Sequence, residues 1–150
     1  MLDALDIKIL RSLQADVSRP LAEVADEVGL SSSPCWKRIK RLEADGFIEG
    51  RVAILNRERL DLGVTVFVAV KTNQHEESWL ADFARTVAEI PEVVEFYRMS
   101  GDLDYMLKIV CRDIRDYDRI YKSLIKRTTI YDVSASFAME EIKSTTRLPI

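Results

Sequence analysis

The chain has 150 residues, 47% of them hydrophobic and 31% charged, and a formal net charge of −3. That length carries one ordinary domain or two small ones, the composition excludes general disorder, and the acidic balance excludes a broadly basic coat protein for nucleic acid. No apolar run approaches the roughly 20 residues of a membrane-spanning helix and MLDALDIKIL has no signal-like pattern, so a cytoplasmic chain with no membrane association is expected.

The first 54 residues carry three helical patterns joined by short turns. Leu2, Leu5, Ile9, Leu10 and Leu13 repeat at helical spacing, with Asp3 and Asp6 near the positive end of the helix dipole. Pro20 suits a first turn, Leu21, Val24, Ala25 and Val28 form an i, i+3, i+4, i+7 stripe, and Gly29 suits the C′ position. In the third pattern Ser33 reads as N-cap and Pro34 as the first helical residue; Cys35, Ile39 and Leu42 face inward, and Gly46 ends the run. Residues 47–55, around Gly50, read as a short hairpin. Three helices followed by a hairpin predict a winged helix-turn-helix over residues 1–54.

Residues 55–63 read as a hinge. From Val64 the period changes: Val64, Val66, Val68 and Val70 alternate, and Leu80, Phe83, Ala84 and Val87 then repeat at helical spacing before Pro91. Residues 93–99 and 105–111 read as strands, Tyr117, Ile120, Tyr121 and Leu124 as a helix, and 133–139 as a last strand. The order β-α-β-β-α-β predicts an α+β, ferredoxin-like sandwich over residues 64–150, with two helices on one face of a four-stranded antiparallel sheet. The other face carries apolar residues such as Phe67, Ala69, Met106 and Val110, which predicts a covering partner and a homodimer.

The stretch SSSPCWKRIKRLEADG, residues 31–46, carries the chemistry of the first half. With Cys35, Ile39 and Leu42 inward, Lys37, Arg38, Lys40 and Arg41 lie outward, four cations within five positions. A helix of about 12 residues fits a major groove and aims its first turn at base edges. Ser32, Ser33 and Trp36 are therefore the candidate readers of double-stranded DNA. The four cations neutralise phosphate, and Arg51 reaches the flanking backbone from the wing.

Other classes find less support. His75 is the sole histidine and has no ligand or nucleophile partner, and no Gly-rich phosphate loop, HExxH or GxSxG motif occurs, so neither a catalytic nor a metal site is expected. Cys35 and Cys111 form no CxxC pair and predict no disulfide framework. Cys35, near a helix start and beside Lys37 and Arg38, leaves a thiol redox switch as one alternative. A winged helix used only for protein contacts is another.

LDALDIKILRSLQAD, LAEVADEVGLS, KRIKRLEADGFI, GDLDYMLKI and IKSTTRLPI are distributed from one end of the chain to the other. In this combination the sequence resembles the Lrp/AsnC (feast/famine) family of transcriptional regulators, nearest to its DecR-like, cysteine-responsive subgroup. The resemblance implies a winged helix-turn-helix joined to a ferredoxin-like effector-binding and assembly domain. It further implies homodimers that gather into octamers, and a small amino-acid effector bound between dimers. No cofactor is implied; cysteine, leucine and methionine are the candidate effectors.

The resemblance places the effector pocket at the turn within MSGDLDYMLKI, residues 99–109. Gly101 permits a tight connection, and Asp102 and Asp104 put negative charge where an ammonium group needs it. Ser134 and Ser136 share one face of the last strand and can complete the ligand's hydrogen bonds. Met99 and Tyr105 flank the turn and complete the expected set. Where the family commonly shows a Pro-Gly turn before the last strand, this chain has KRTTIYDV.

Overall fold

A computed structural model describes residues 1–73, 77–127 and 130–150; His75, Thr128 and Thr129 lie outside the described residues. The chain divides into two compact units, Met1–Ile54 together with Lys143–Ile150, and Leu55–Ile142.

The first unit packs α1 (Ala4–Ala15), α2 (Leu21–Val28) and α3 (Ser32–Ala44) around Ile9, Val24, Ala25, Val28, Cys35, Ile39 and Leu42. These are the stripes that the spacing predicts. Burying each large aliphatic among them contributes on the order of 2 kcal/mol. Helix α1 starts with a reciprocal capping box: Asp6 N–H donates to Asp3 Oδ1 at 2.8 Å, and Asp3 N–H donates to Asp6 Oδ2 at 3.0 Å. Helix α2 ends at Gly29, whose φ of 76° is the left-handed conformation that glycine adopts without steric cost.

Three features of this unit differ from expectation. Helix α3 begins at Ser32 with Ser31 as N-cap, so Ser33 and Pro34 lie inside its first turn. A first-turn N–H has no intrahelical acceptor, so Pro34 loses nothing there. Residues 47–55 form no strands, and Val52, Ile54 and Leu55 are 81%, 80% and 66% exposed. Ile48 packs against the helical core, but Val52, Ile54 and Leu55 bury against nothing among the described residues, and alternation alone makes no hairpin. Finally, the last eight residues, expected with the sandwich, pack in the first unit. Arg11 Nε donates to the Ile150 carbonyl at 2.6 Å, and Gln14 exchanges two 2.9 Å hydrogen bonds with the Leu148 backbone. Polar backbone contacts of this kind leave no periodic mark in a sequence.

The second unit is the β-α-β-β-α-β sandwich. Strands β1 (Val64–Lys71), β2 (Val93–Arg98), β3 (Tyr105–Cys111) and β4 (Asp132–Phe137) form one antiparallel sheet in the order β2-β3-β1-β4. Helices α4 (Glu77–Ala88) and α5 (Ile114–Arg127) contribute Trp79, Phe83, Val87, Ile120 and Leu124 to a core shared with Val66, Val68, Val70, Leu107 and Ile109. Residues 56–63 fold into a compact turn around a 3₁₀ segment, Glu58–Leu60.

On the opposite sheet face, register sets Phe67 beside Lys108 and Ser136, and Ala69 beside Met106 and Ser134. Phe67 is 40% exposed, whereas Val110, expected on this open face, is buried. Its cross-strand neighbour Thr65 shows the cause. Arg57 donates to Thr65 Oγ1 at 2.8 Å and to Glu141 at 2.7 Å, while Ala138 N–H donates to the Thr65 carbonyl at 2.9 Å. One end of the face is thus covered by the unit's own chain.

Candidate nucleic-acid interface and effector turn

Helix α3 turns about 100° per residue, so burying Cys35, Ile39 and Leu42 sets Ser33 and Lys37 near the centre of the exposed surface. Arg38 and Trp36 fall on opposite flanks. Lys40 and Arg41 lie between the centre and each flank.

One flank faces the start of α1. Arg38 Nη1 donates to Asp3 Oδ2 at 2.6 Å and to Asp6 Oδ1 at 2.8 Å, and Arg41 Nη2 donates to Asp6 Oδ2 at 2.5 Å. Asp6 is 0% exposed. Burial pushes its carboxyl up, but the Asp3 backbone N–H and the two guanidinium groups outweigh burial and hold it below its ordinary value. The same carboxylates hold Arg38 above its own. A buried acid that caps one helix therefore also fixes two arginines of another.

On the other flank Glu43 accepts Lys40 Nζ at 2.8 Å and Arg51 Nη2 at 2.7 Å. Trp36, 51% exposed, lies at a cleft of about 170 Å³ whose walls include Leu21, Ile39, Lys40 and Arg51. Its indole borders the core and still presents a free apolar surface. Ser32, Ser33 and Lys37 are exposed, and Lys37 forms no ion pair with another described residue. The four cations expected to face phosphate are not equally free: three of them, and Arg51, are engaged by Asp3, Asp6 or Glu43. The sequence reading missed those three acids. Glu43 lies at i+3 from Lys40 and could have been found; Asp3 and Asp6 lie more than 30 positions from their partners.

Thiol chemistry at Cys35 loses its physical basis. The residue is 0% exposed, and burial pushes its thiol up, away from the thiolate a redox sensor needs.

In the second unit the turn from β2 to β3 closes through Met99 N–H, which donates to the Asp104 carbonyl at 2.8 Å. Gly101 has φ of 113°, a conformation L side chains rarely adopt, although a Cβ there would meet open space. Asp104 is tied to the end of β1 and to the residue after it: its N–H donates to the Val70 carbonyl at 3.1 Å, and its Oδ2 accepts the Thr72 N–H at 2.8 Å. Asp104 therefore accepts from the backbone.

Strand alternation puts Asp104 on the open face with Met106, Ala69, Ser134 and Ser136. Met99 and Asp102 are exposed beside it. Tyr105 is corrected: it faces the other way, 6% exposed, its ring within 6 Å of Trp79, Phe83 and Phe96. The structure thus brings the two serines and Asp104 to one surface and removes Tyr105 from it.

Sequence models of two domains match the chain: the AsnC-type helix-turn-helix domain over residues 2–43, and the Lrp/AsnC ligand binding domain over residues 65–148. The chain belongs to the Lrp/AsnC family. It is 49% identical to the glutamate uptake regulatory protein of Zymomonas mobilis, over 99% of this chain and 91% of that one. It is 46% identical to the DNA-binding transcriptional activator DecR of Escherichia coli K12, over 100% of this chain and 99% of that one. Among solved structures, a transcriptional regulator of Neisseria meningitidis in complex with L-Met superposes with a TM-score of 0.94 at 34% identity, covering 99% of this chain and 97% of that one. This Lrp/AsnC member is accordingly a DNA-binding transcriptional regulator. No helix among the described residues is long and apolar enough to cross a membrane.

Proposed function

We propose that α3 reads duplex DNA through Ser32, Ser33 and Trp36 while Lys37 makes the primary phosphate contact, with Lys40, Arg41 and Arg51 supplementing it and Arg38 held as a structural tie. The observation that carries this reading is the outward central placement of Ser33 and Lys37 between two carboxylate-held flanks. Residues 1–54 form the DNA-reading part, 55–63 the connection, and the sandwich from 64 the assembly and effector part. A salt titration of duplex affinity tests the first claim, since each phosphate neutralised adds about 0.9 to the slope of log affinity against log salt. A flat slope would favour a protein-contact module instead.

The same proposal extends to control. A small amino acid binds where Asp104, Asp102, Met99, Gly101, Ser134 and Ser136 gather, its ammonium group near the acids and its carboxylate near backbone N–H groups and serine hydroxyls. The relative solved with L-Met supports an amino acid as the ligand class. Cysteine, leucine and methionine are the first candidates. The half-exposed Phe67, Met99 and Tyr97 support a homodimer that covers the open face, with octamers built from such dimers. A thermal-shift screen of the twenty amino acids under reducing conditions tests the effector: a genuine ligand at about 100 times its dissociation constant stabilises by roughly 2.7 kcal/mol. No shift with any amino acid would remove the effector site. Such a regulator works in the cytoplasm, where DNA and free amino acids meet.

A further inference from the structure

Glu43 divides one carboxylate between two cations. Its Oε2 accepts Lys40 Nζ and its Oε1 accepts Arg51 Nη2, joining the last turn of α3 to the extended segment beyond it. Lys40 and Arg51 remain 54% and 45% exposed. Glu43 is no core residue: α3 buries Cys35, Ile39 and Leu42, and Glu43 lies at the margin of that stripe. Ion pairs this exposed add little to a fold, so stability alone is a weak reason for the arrangement.

Its effect on a polyanion is larger. Duplex DNA presents one charge per roughly 1.7 Å of axis and competes for the same two cations, so a phosphate contact by Lys40 or Arg51 either displaces Glu43 or is weakened by its charge and by the orientation it imposes. Lys37, with no such competitor among the described residues, needs no release. We propose that Glu43 is a specificity-determining residue of the DNA interface, an internal counter-anion that damps sequence-independent binding by holding Lys40 and Arg51 away from phosphate. The inference rests on the DNA-reading function of α3 and assigns it a restraint.

The test compares full-length wild type, Glu43→Gln and Asp45→Asn for binding to a short random-sequence duplex across a salt series. Asp45→Asn changes net charge equally, yet Asp45 is exposed and forms no ion pair with a described residue. Glu43→Gln is expected to tighten random-duplex binding about two- to tenfold at low salt. It should also steepen the salt slope by about 0.9 to 1.8 per bound protomer, as one or both cations become available. Asp45→Asn should leave the slope unchanged, and Lys40→Ala added to Glu43→Gln should withdraw about half of the gain. An unchanged slope in Glu43→Gln, in a variant with the wild-type unfolding temperature, overturns the proposal, as does an equal steepening in Asp45→Asn. Wild type that binds no duplex at all would overturn the DNA-reading function itself, and the restraint with it.

Discussion

The carboxylate of Asp104 accepts the backbone N–H of Thr72 at 2.8 Å, so the acid proposed to meet an effector also splices the start of β3 to the end of β1. Charge and geometry at this position can therefore be separated. Asp104→Asn keeps an acceptor for that N–H and should preserve the fold while abolishing the response to the amino acid that stabilises wild type. Asp104→Ala should do both kinds of damage, lowering stability by about 1–2 kcal/mol as an N–H loses its partner. Thermal unfolding with and without amino acid checks both. An Asn variant that responds like wild type removes the charge of Asp104 from the pocket.

Asp6 caps α1 and holds both Arg38 and Arg41 from a buried position. Asp6→Asn is expected to destabilise the first unit by about 1–3 kcal/mol, seen as a lower denaturant midpoint. The pH dependence follows from the lowered carboxyl of the folded state. A depressed folded value contributes stability that is full above the unfolded value of about 3.9 and is lost as pH falls through the folded one. Wild type should thus lose stability steeply on acidification below about pH 4, and Asp6→Asn should lose less over the same range.

Lys37 and Arg38 are neighbours in sequence with different commitments. Lys37→Ala should weaken duplex binding and reduce the salt slope by about 0.9 per protomer. Arg38→Ala should leave the slope nearly unchanged while lowering the unfolding temperature, because that guanidinium already serves Asp3 and Asp6. Fluorescence anisotropy against salt separates the two; equal slope losses would mean that DNA draws Arg38 away from α1.

Cys35 and Cys111 are both 0% exposed, and burial first of all pushes both thiols up. Native protein at neutral pH should resist iodoacetamide over the time in which the denatured chain reacts fully at both positions. Rapid native labelling of Cys35 would revive thiol-based control.

The stripes of α2 and the alternation of β1 were readable because each element buries one continuous face, and a buried face imposes its period on the sequence. Residue types alone set the start of α3 two residues late, since Ser, Ser and Pro are all tolerated in a first turn. Val52 and Ile54 alternate as a strand would, yet a hairpin also requires a surface on which to bury them, and they have none among the described residues. At the DNA interface the residue types were legible and their engagements were not: Arg41 finds Asp6 only through the packing of α1 against α3. Tyr105 stands beside the turn, which suggests a part in effector binding, yet strand alternation in β3 gives it the core side.

The packing of Lys143–Ile150 in the first unit bears on how the protein is made. A nascent chain emerges from the ribosome amino end first, so the three helices can collapse early, but Arg11 and Gln14 must wait for Ile150 and Leu148 until the sandwich has been synthesised. The module begun first is thus completed last, and a translation product cut short near residue 142 would carry a helix-turn-helix lacking its final brace.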